Sequence, residues 1–165
     1  MFILYIGGQK SGKSELAEKY CIKLSVKQKP YYVATYDDSY GDKRMKKKIK
    51  LHKKQRKNKF ITINETTNLT KIIKPNRTYL IDCISMWILN NIKKKFKELI
   101  KQLKYITSIH NTNIIFVLND VNQGIIPLNN ISRKFVDYTG IIGQYLSKIS
   151  NEVYDVRFGI AQQIK

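Results

Sequence analysis

Cysteine and histidine are scarce in this chain: Cys21, Cys83, His52 and His110 are all it has of either. Two cysteines without metal-ligand spacing exclude both a zinc site and a disulfide scaffold. Each lies in an apolar segment and reads as a small buried hydrophobe. Two histidines argue against a metal centre. No apolar run approaches the length of a membrane span. The N-terminus enters a strand directly, with no basic-then-apolar leader, so the expected location is the cytoplasm. Acidic residues are few as well, 12 against 31 lysines and arginines, which leaves a net charge of +19. That balance invites a nucleic-acid partner. The excess is mostly lysine, however, and it accompanies abundant asparagine and isoleucine. No RNA-recognition or zinc-finger signature is present. The charge therefore reads as solvated faces that attract anionic substrates such as nucleotides, with no nucleic-acid partner expected.

Against these absences stands one dense motif. Gly7-Gly8-Gln9-Lys10-Ser11-Gly12-Lys13-Ser14 matches G-x-x-x-x-G-K-[ST] at every fixed position. Phe2 to Ile6 before it form a continuous apolar run, the mark of a buried parallel strand. After it, Leu16, Ala17, Tyr20, Cys21 and Leu24 share one helical face. Strand, glycine-rich turn and helix form the context in which backbone N–H groups and a helix N-terminus converge on a phosphate. Lys13 would reach the β- and γ-phosphates, and the Ser14 hydroxyl a Mg²⁺ position.

The rest of the chain alternates in kind. Strands are expected at 31–35, 60–63, 78–82, 114–118 and 153–158, with a tail strand over 159–165. Helices are expected at about 43–54, at 69–73, from 85 onward, at 96–109 and over 131–149. This pattern predicts an α/β fold, with a mostly parallel sheet and helices on both faces. The 165 residues suffice for one domain, and no repeat or linker divides them, so residues 1–165 are read as a single nucleotide-binding catalytic domain. Ligands on such sheets bind at the carboxyl ends of the strands. Gly7, Thr35, Asp82 and Asn119-Asp120 all follow strands there.

Asp82 closes an apolar strand, the form of the acid that shares Mg²⁺ with a phosphate-loop hydroxyl; Asp120 competes with it by position. His52 has two readings. One is a surface histidine on a lysine-rich helix. The other is a nucleophile toward a nucleotide phosphorus, kept neutral by Lys53, Lys54 and Arg56, whose charges would also stabilise departing pyrophosphate.

Taken together, these segments resemble the bifunctional adenosylcobinamide kinase / adenosylcobinamide-phosphate guanylyltransferase family of cobalamin biosynthesis. The resemblance spans nearly the whole chain. It rests on the phosphate loop, on Tyr32-Val33-Ala34-Thr35, and on Met45, His52 and Arg56 at their mutual spacing. Further blocks are Asp82-Cys83-Ile84-Ser85-Met86-Trp87 with Asn90, Asn119-Asp120-Val121 with Gly124 and Pro127, and Arg133, Phe135, Asp137 and Gly140, ending at Gly159 and Lys165. The resemblance implies a RecA-like P-loop fold of three layers and a homotrimer. It implies ATP or GTP with Mg²⁺ as substrates and adenosylcobinamide or its phosphate as acceptor. His52 matches the histidine that carries GMP. Nucleotide contacts fall on Gly7 to Ser14, on Thr35, Tyr36 and Asp37, on Lys53, Lys54, Gln55 and Arg56, on Glu65, and on Asp82, with Ser14 and Asp82 toward the metal. The chain departs from the family pattern at Lys43-Arg44, Phe60, Asn64 and Gly143. The runner-up is another P-loop small-molecule or nucleotide kinase that forms no covalent intermediate. A nucleic-acid-dependent ATPase is the third class.

Overall fold

The structure, a computed structural model, describes residues 1–26, 28–37, 56 and 58–165. The expected basic helix at 43–54, with His52, Lys53 and Lys54, and also Gln55, lie outside the described residues.

Seven strands form one sheet. They are β1 (Phe2–Gly7), β2 (Tyr31–Ala34), β3 (Ile61–Asn64), β4 (Thr78–Asp82), β5 (Asn113–Asn119), β6 (Glu152–Arg157) and β7 (Ile160–Gln163). Their spatial order is β3-β2-β4-β5-β1-β6-β7. Every neighbouring pair is parallel except β6 and β7, which form an antiparallel hairpin. The described helices are α1 (Lys13–Leu24), α2 (Ile84–Asn90), α3 (Phe96–Thr107) and α4 (Asn130–Ile149).

Strand alternation sorts side chains between two layers. Ile3 and Tyr5 of β1 point toward α1, where they meet Ala17, Cys21, Leu80, Ile115 and Val117. Leu4 points the other way, into a larger cluster with Trp87, Ile88, Leu99, Leu103, Phe116, Ile142 and Leu146. The sheet is thus covered on both faces, as its continuous apolar strands require. Local chemistry sets the helix starts. The Glu98 carboxylate accepts the Lys95 N–H at 3.1 Å, closing the first turn of α3. Asn129 Oδ1 accepts the N–H groups of Ile131 and Ser132, capping α4.

Trp87 is the largest fully buried side chain, and its Nε1 donates to Thr67 O at 3.0 Å. It ties α2, which begins directly after β4, to the segment that follows β3. Trp87→Ala is expected to cost about 3–5 kcal/mol, because it removes a buried ring and leaves a carbonyl without its donor. The check is a lower denaturant midpoint at unchanged m-value.

Both thiols behave as inert core groups. Burial pushes Cys21 up to about 12, with the Glu18 charge adding to it. Burial also pushes Cys83 up to about 12, with Asp82 adding. Neither is a thiolate near neutral pH.

Candidate functional site

The loop Gly7–Ser14 leaves β1 and turns into α1 through Gly12, whose φ of +95° is a conformation that side-chain-bearing residues rarely hold. No side chain caps α1 at Gly12, so its first-turn N–H groups remain available to an anion. Lys13 Nζ donates to Gly8 O at 2.9 Å, which folds the ammonium over the loop it would share with a phosphate. Ser11 Oγ is buried and meets no hydrogen-bond partner among the described residues, a donor suited to a phosphate oxygen. Gln9 and Lys10 are exposed at the loop's crest.

From β4, Asp82 reaches the same place. Ser14 Oγ donates to Asp82 Oδ1 at 3.2 Å. A hydroxyl and a carboxylate oxygen side by side are the hard ligands that Mg²⁺ takes from a protein when substrate phosphates and water supply the others. The described residues hold no group of three or more histidine, cysteine or acidic side chains for a metal, which fits a cation carried largely by its nucleotide. Ser14 and Asp82 therefore fit the group.

The other Asp82 oxygen accepts the Tyr32 hydroxyl at 2.6 Å. The Arg56 guanidinium lies over the Tyr32 ring, 3.5 Å from its centroid, and its Nη1 stands 3.4 Å from Glu18 Oε1 on α1. Burial holds the Tyr32 phenol well above its ordinary range, with the Asp82 charge adding to it. Burial also raises Glu18, against the opposing pull of Arg56. Ser14, Asp82, Tyr32, Arg56 and Glu18 thus form one connected polar network that joins β2, β4 and α1. Sequence reasoning missed Tyr32 and Glu18. Their signal is the pairing of β2 with β4, in which Ala34 sits opposite Asp82 and Tyr32 sits two residues back on the same face.

The remaining expected residues are placed as follows. Thr35 has no exposed surface. Its Oγ1 donates to Cys83 O at 2.7 Å and accepts the Cys83 N–H at 2.9 Å, so it braces the turn that presents Asp82. Asn90 Nδ2 donates to Thr35 O at 2.7 Å and to Thr66 O at 2.9 Å. Tyr36 and Asp37 follow Thr35 and are half-buried. Glu65 Oε1 accepts the N–H groups of Thr67 and Asn68, which anchors its carboxylate in the following turn. Asp120, the competitor of Asp82, receives the Gln123 amide at 2.6 Å and donates its own N–H to Gly7 O at 2.9 Å. It lies at the loop's first residue, on the far side of β5 from β4.

With this geometry in hand, comparison with known proteins is decisive over the whole length. The sequence pattern of the family described as cobinamide kinase / cobinamide phosphate guanyltransferase matches residues 3–164. This chain belongs to that family. It is a P-loop enzyme of the kinase and guanyltransferase class, acting in cobalamin biosynthesis on nucleotides and cobinamide. It is 26% identical to the bifunctional adenosylcobalamin biosynthesis protein CobU of Escherichia coli, across 100% of both chains. It is 26% identical to CobP of Pseudomonas aeruginosa, across 98% of this chain and 96% of that protein. Among solved structures, flagellar accessory protein FlaH from Methanocaldococcus jannaschii has a TM-score of 0.56 at 16% identity, covering 99% of this chain and 77% of FlaH. A second solved ATPase domain has a TM-score of 0.51 at 10% identity, covering 93% of this chain and 68% of its own. These likenesses establish the P-loop fold and nothing finer.

Proposed function

We propose that this chain phosphorylates the hydroxyl of adenosylcobinamide with a nucleoside triphosphate and then carries GMP from GTP to the resulting phosphate by way of His52. In the second reaction an imidazole nitrogen of His52 attacks the α-phosphorus of GTP. The N–P bond forms, the bond from the α-phosphorus to the bridging oxygen breaks, and pyrophosphate leaves. An oxygen of adenosylcobinamide phosphate then attacks the same phosphorus, the N–P bond breaks, and adenosylcobinamide-GDP departs. The observation that carries this reading is the meeting of Ser14 and Asp82 at the mouth of the phosphate loop, within a family match that runs the length of the chain.

Each part of the chain has a task in this reading. Backbone N–H groups from Gly7 to Ser14 hold the phosphates, and Lys13 leaves Gly8 O for the β- and γ-oxygens. Mg²⁺ on Ser14 and Asp82 would neutralise charge that develops on those oxygens. Thr35 supports the Asp82 turn, while Tyr36, Asp37, Lys53, Lys54, Gln55, Arg56 and Glu65 flank the nucleotide. Arg56 is anchored to Asp82 through Tyr32. His52 precedes it by four residues, a tether of about 14 Å at full extension. We take residues 1–165 as one catalytic domain working in the cytoplasm, where its triphosphate substrates are made. We take a homotrimer as the working assembly. Its support is the loop into α4, where Ile125 is 97% and Leu128 94% exposed in the single chain, apolar area that a second copy would cover.

The test is covalent labelling. Incubated with Mg²⁺ and GTP labelled at the α-phosphate, the protein is expected to gain one GMP, in a bond that is acid-labile and base-stable. His52→Ala is expected to abolish the label. A wild-type protein that turns over the cobinamide substrate yet never labels would leave a kinase without a covalent intermediate. Unchanged labelling of the variant would remove His52 from the chemistry.

A further inference from the structure

We propose that Phe158 is a stacking platform for the purine base of the triphosphate, an inference that rests on the phosphate-loop reading above. Arg157 pairs with Ile160, so Phe158-Gly159 is the two-residue loop of the β6–β7 hairpin. Both residues have positive φ, +50° at Phe158 and +83° at Gly159, as in primed hairpin turns. Such a turn favours Asn-Gly or Asp-Gly, and a bulky aromatic with positive φ is an outlier. Burial does not explain the choice either, since Phe158 is 98% exposed. A residue that suits neither the turn nor the core, and is held in a sparsely populated conformation, points to function.

The turn is docked on the phosphate loop. Gly159 N–H donates to Ser11 O at 2.8 Å, and a Cβ added to Gly12 would stand 3.1 Å from Gly159 Cα. Phe158 is therefore carried at a set place beside the loop. The sheet order supplies direction. Ser14 meets Asp82 on the β4 side of β1, whereas β6 and β7 lie on the opposite side. With the β- and γ-phosphates drawn toward Lys13, Ser14 and Asp82, the α-phosphate and nucleoside leave toward the hairpin. A flat base arriving there meets an exposed aromatic face. Stacking of this kind tolerates either purine, because each presents a π-face.

The experiment separates base from phosphate. Wild type, Phe158→Asn, Phe158→Tyr and Lys13→Ala are titrated with GTP, with ATP and with inorganic tripolyphosphate, and each is melted and sedimented. Phe158→Asn is expected to weaken both nucleotides about tenfold while leaving tripolyphosphate affinity unchanged. Its thermal midpoint should be no lower than wild type, because Asn-Gly suits the turn better. Phe158→Tyr, which keeps the ring, should bind as wild type does. Unchanged nucleotide affinity in Phe158→Asn overturns the proposal, as does an equal loss for nucleotide and tripolyphosphate. Unchanged affinity with a smaller assembly assigns the ring to a contact between copies, and also overturns it. If Lys13→Ala binds tripolyphosphate like wild type, the phosphate-loop reading itself falls and takes this one with it.

Discussion

Asp82→Asn is expected to slow both phosphoryl and guanylyl transfer by about 10²- to 10³-fold, since a metal clamp on a phosphoryl group is worth several kcal/mol and each ~1.4 kcal/mol is tenfold in rate. The variant removes charge with almost no change of shape. Its amide oxygen still accepts from one of the two hydroxyls that Asp82 now serves, those of Ser14 and Tyr32. The amide N–H groups turn to the other, which reverses from donor to acceptor, as hydroxyls do. Stability is therefore expected to fall by only about 1 kcal/mol. The measurement pairs turnover across a Mg²⁺ series with a thermal melt. A large loss of rate at a nearly wild-type midpoint supports the metal role. Turnover within a few-fold of wild type would pass that role to Asp120, which stands at Gly7 on the same rim.

What the sequence made legible follows from how local each signal is. The strand Thr78–Asp82 is found where it was expected, because an apolar run bounded by Arg77 and Cys83 needs no partner to be recognised. The pair Ser14 and Asp82 was legible for a similar reason, since each sits at a fixed point of its own motif. The Tyr32–Arg56 stack was not, because it depends on which strands are neighbours, and a parallel sheet hides its order from any one strand. Thr35 was expected to contact nucleotide, and its hydroxyl is found bonded to Cys83. A residue just past the end of a strand has no alternation to say which way it faces. The hairpin at Phe158-Gly159 shows the same limit. The expected strand ran through Phe158, because an apolar residue continued the alternation and no asparagine or aspartate marked the turn.

Gly7→Ala is expected to damage the protein in two measurable ways, whereas Gly8→Ala, one residue on, should leave the empty fold almost untouched. A Cβ on Gly7 would stand 2.4 Å from Val156 O and 2.6 Å from Ser11 Oγ. The first neighbour is backbone of β6, pinned between β1 and β7, so it cannot swing aside as a side chain would. Overpacking of this kind costs about 1–3 kcal/mol, and more where the obstacle is rigid. In a protein of this size each kcal/mol lowers the midpoint by about 2–4 °C. The second neighbour carries the functional effect. Pushing Ser11 outward moves its carbonyl away from Gly159 N–H and its buried hydroxyl away from a bound phosphate. Triphosphate affinity is therefore expected to fall at least about tenfold, the loss of one charge-assisted hydrogen bond. Around Gly8 the corresponding space is empty to 4 Å. A pair of melts and GTP titrations decides the matter: equal behaviour of the two variants would mean that Val156 and Ser11 do not enclose Gly7 in solution as they do in this structure.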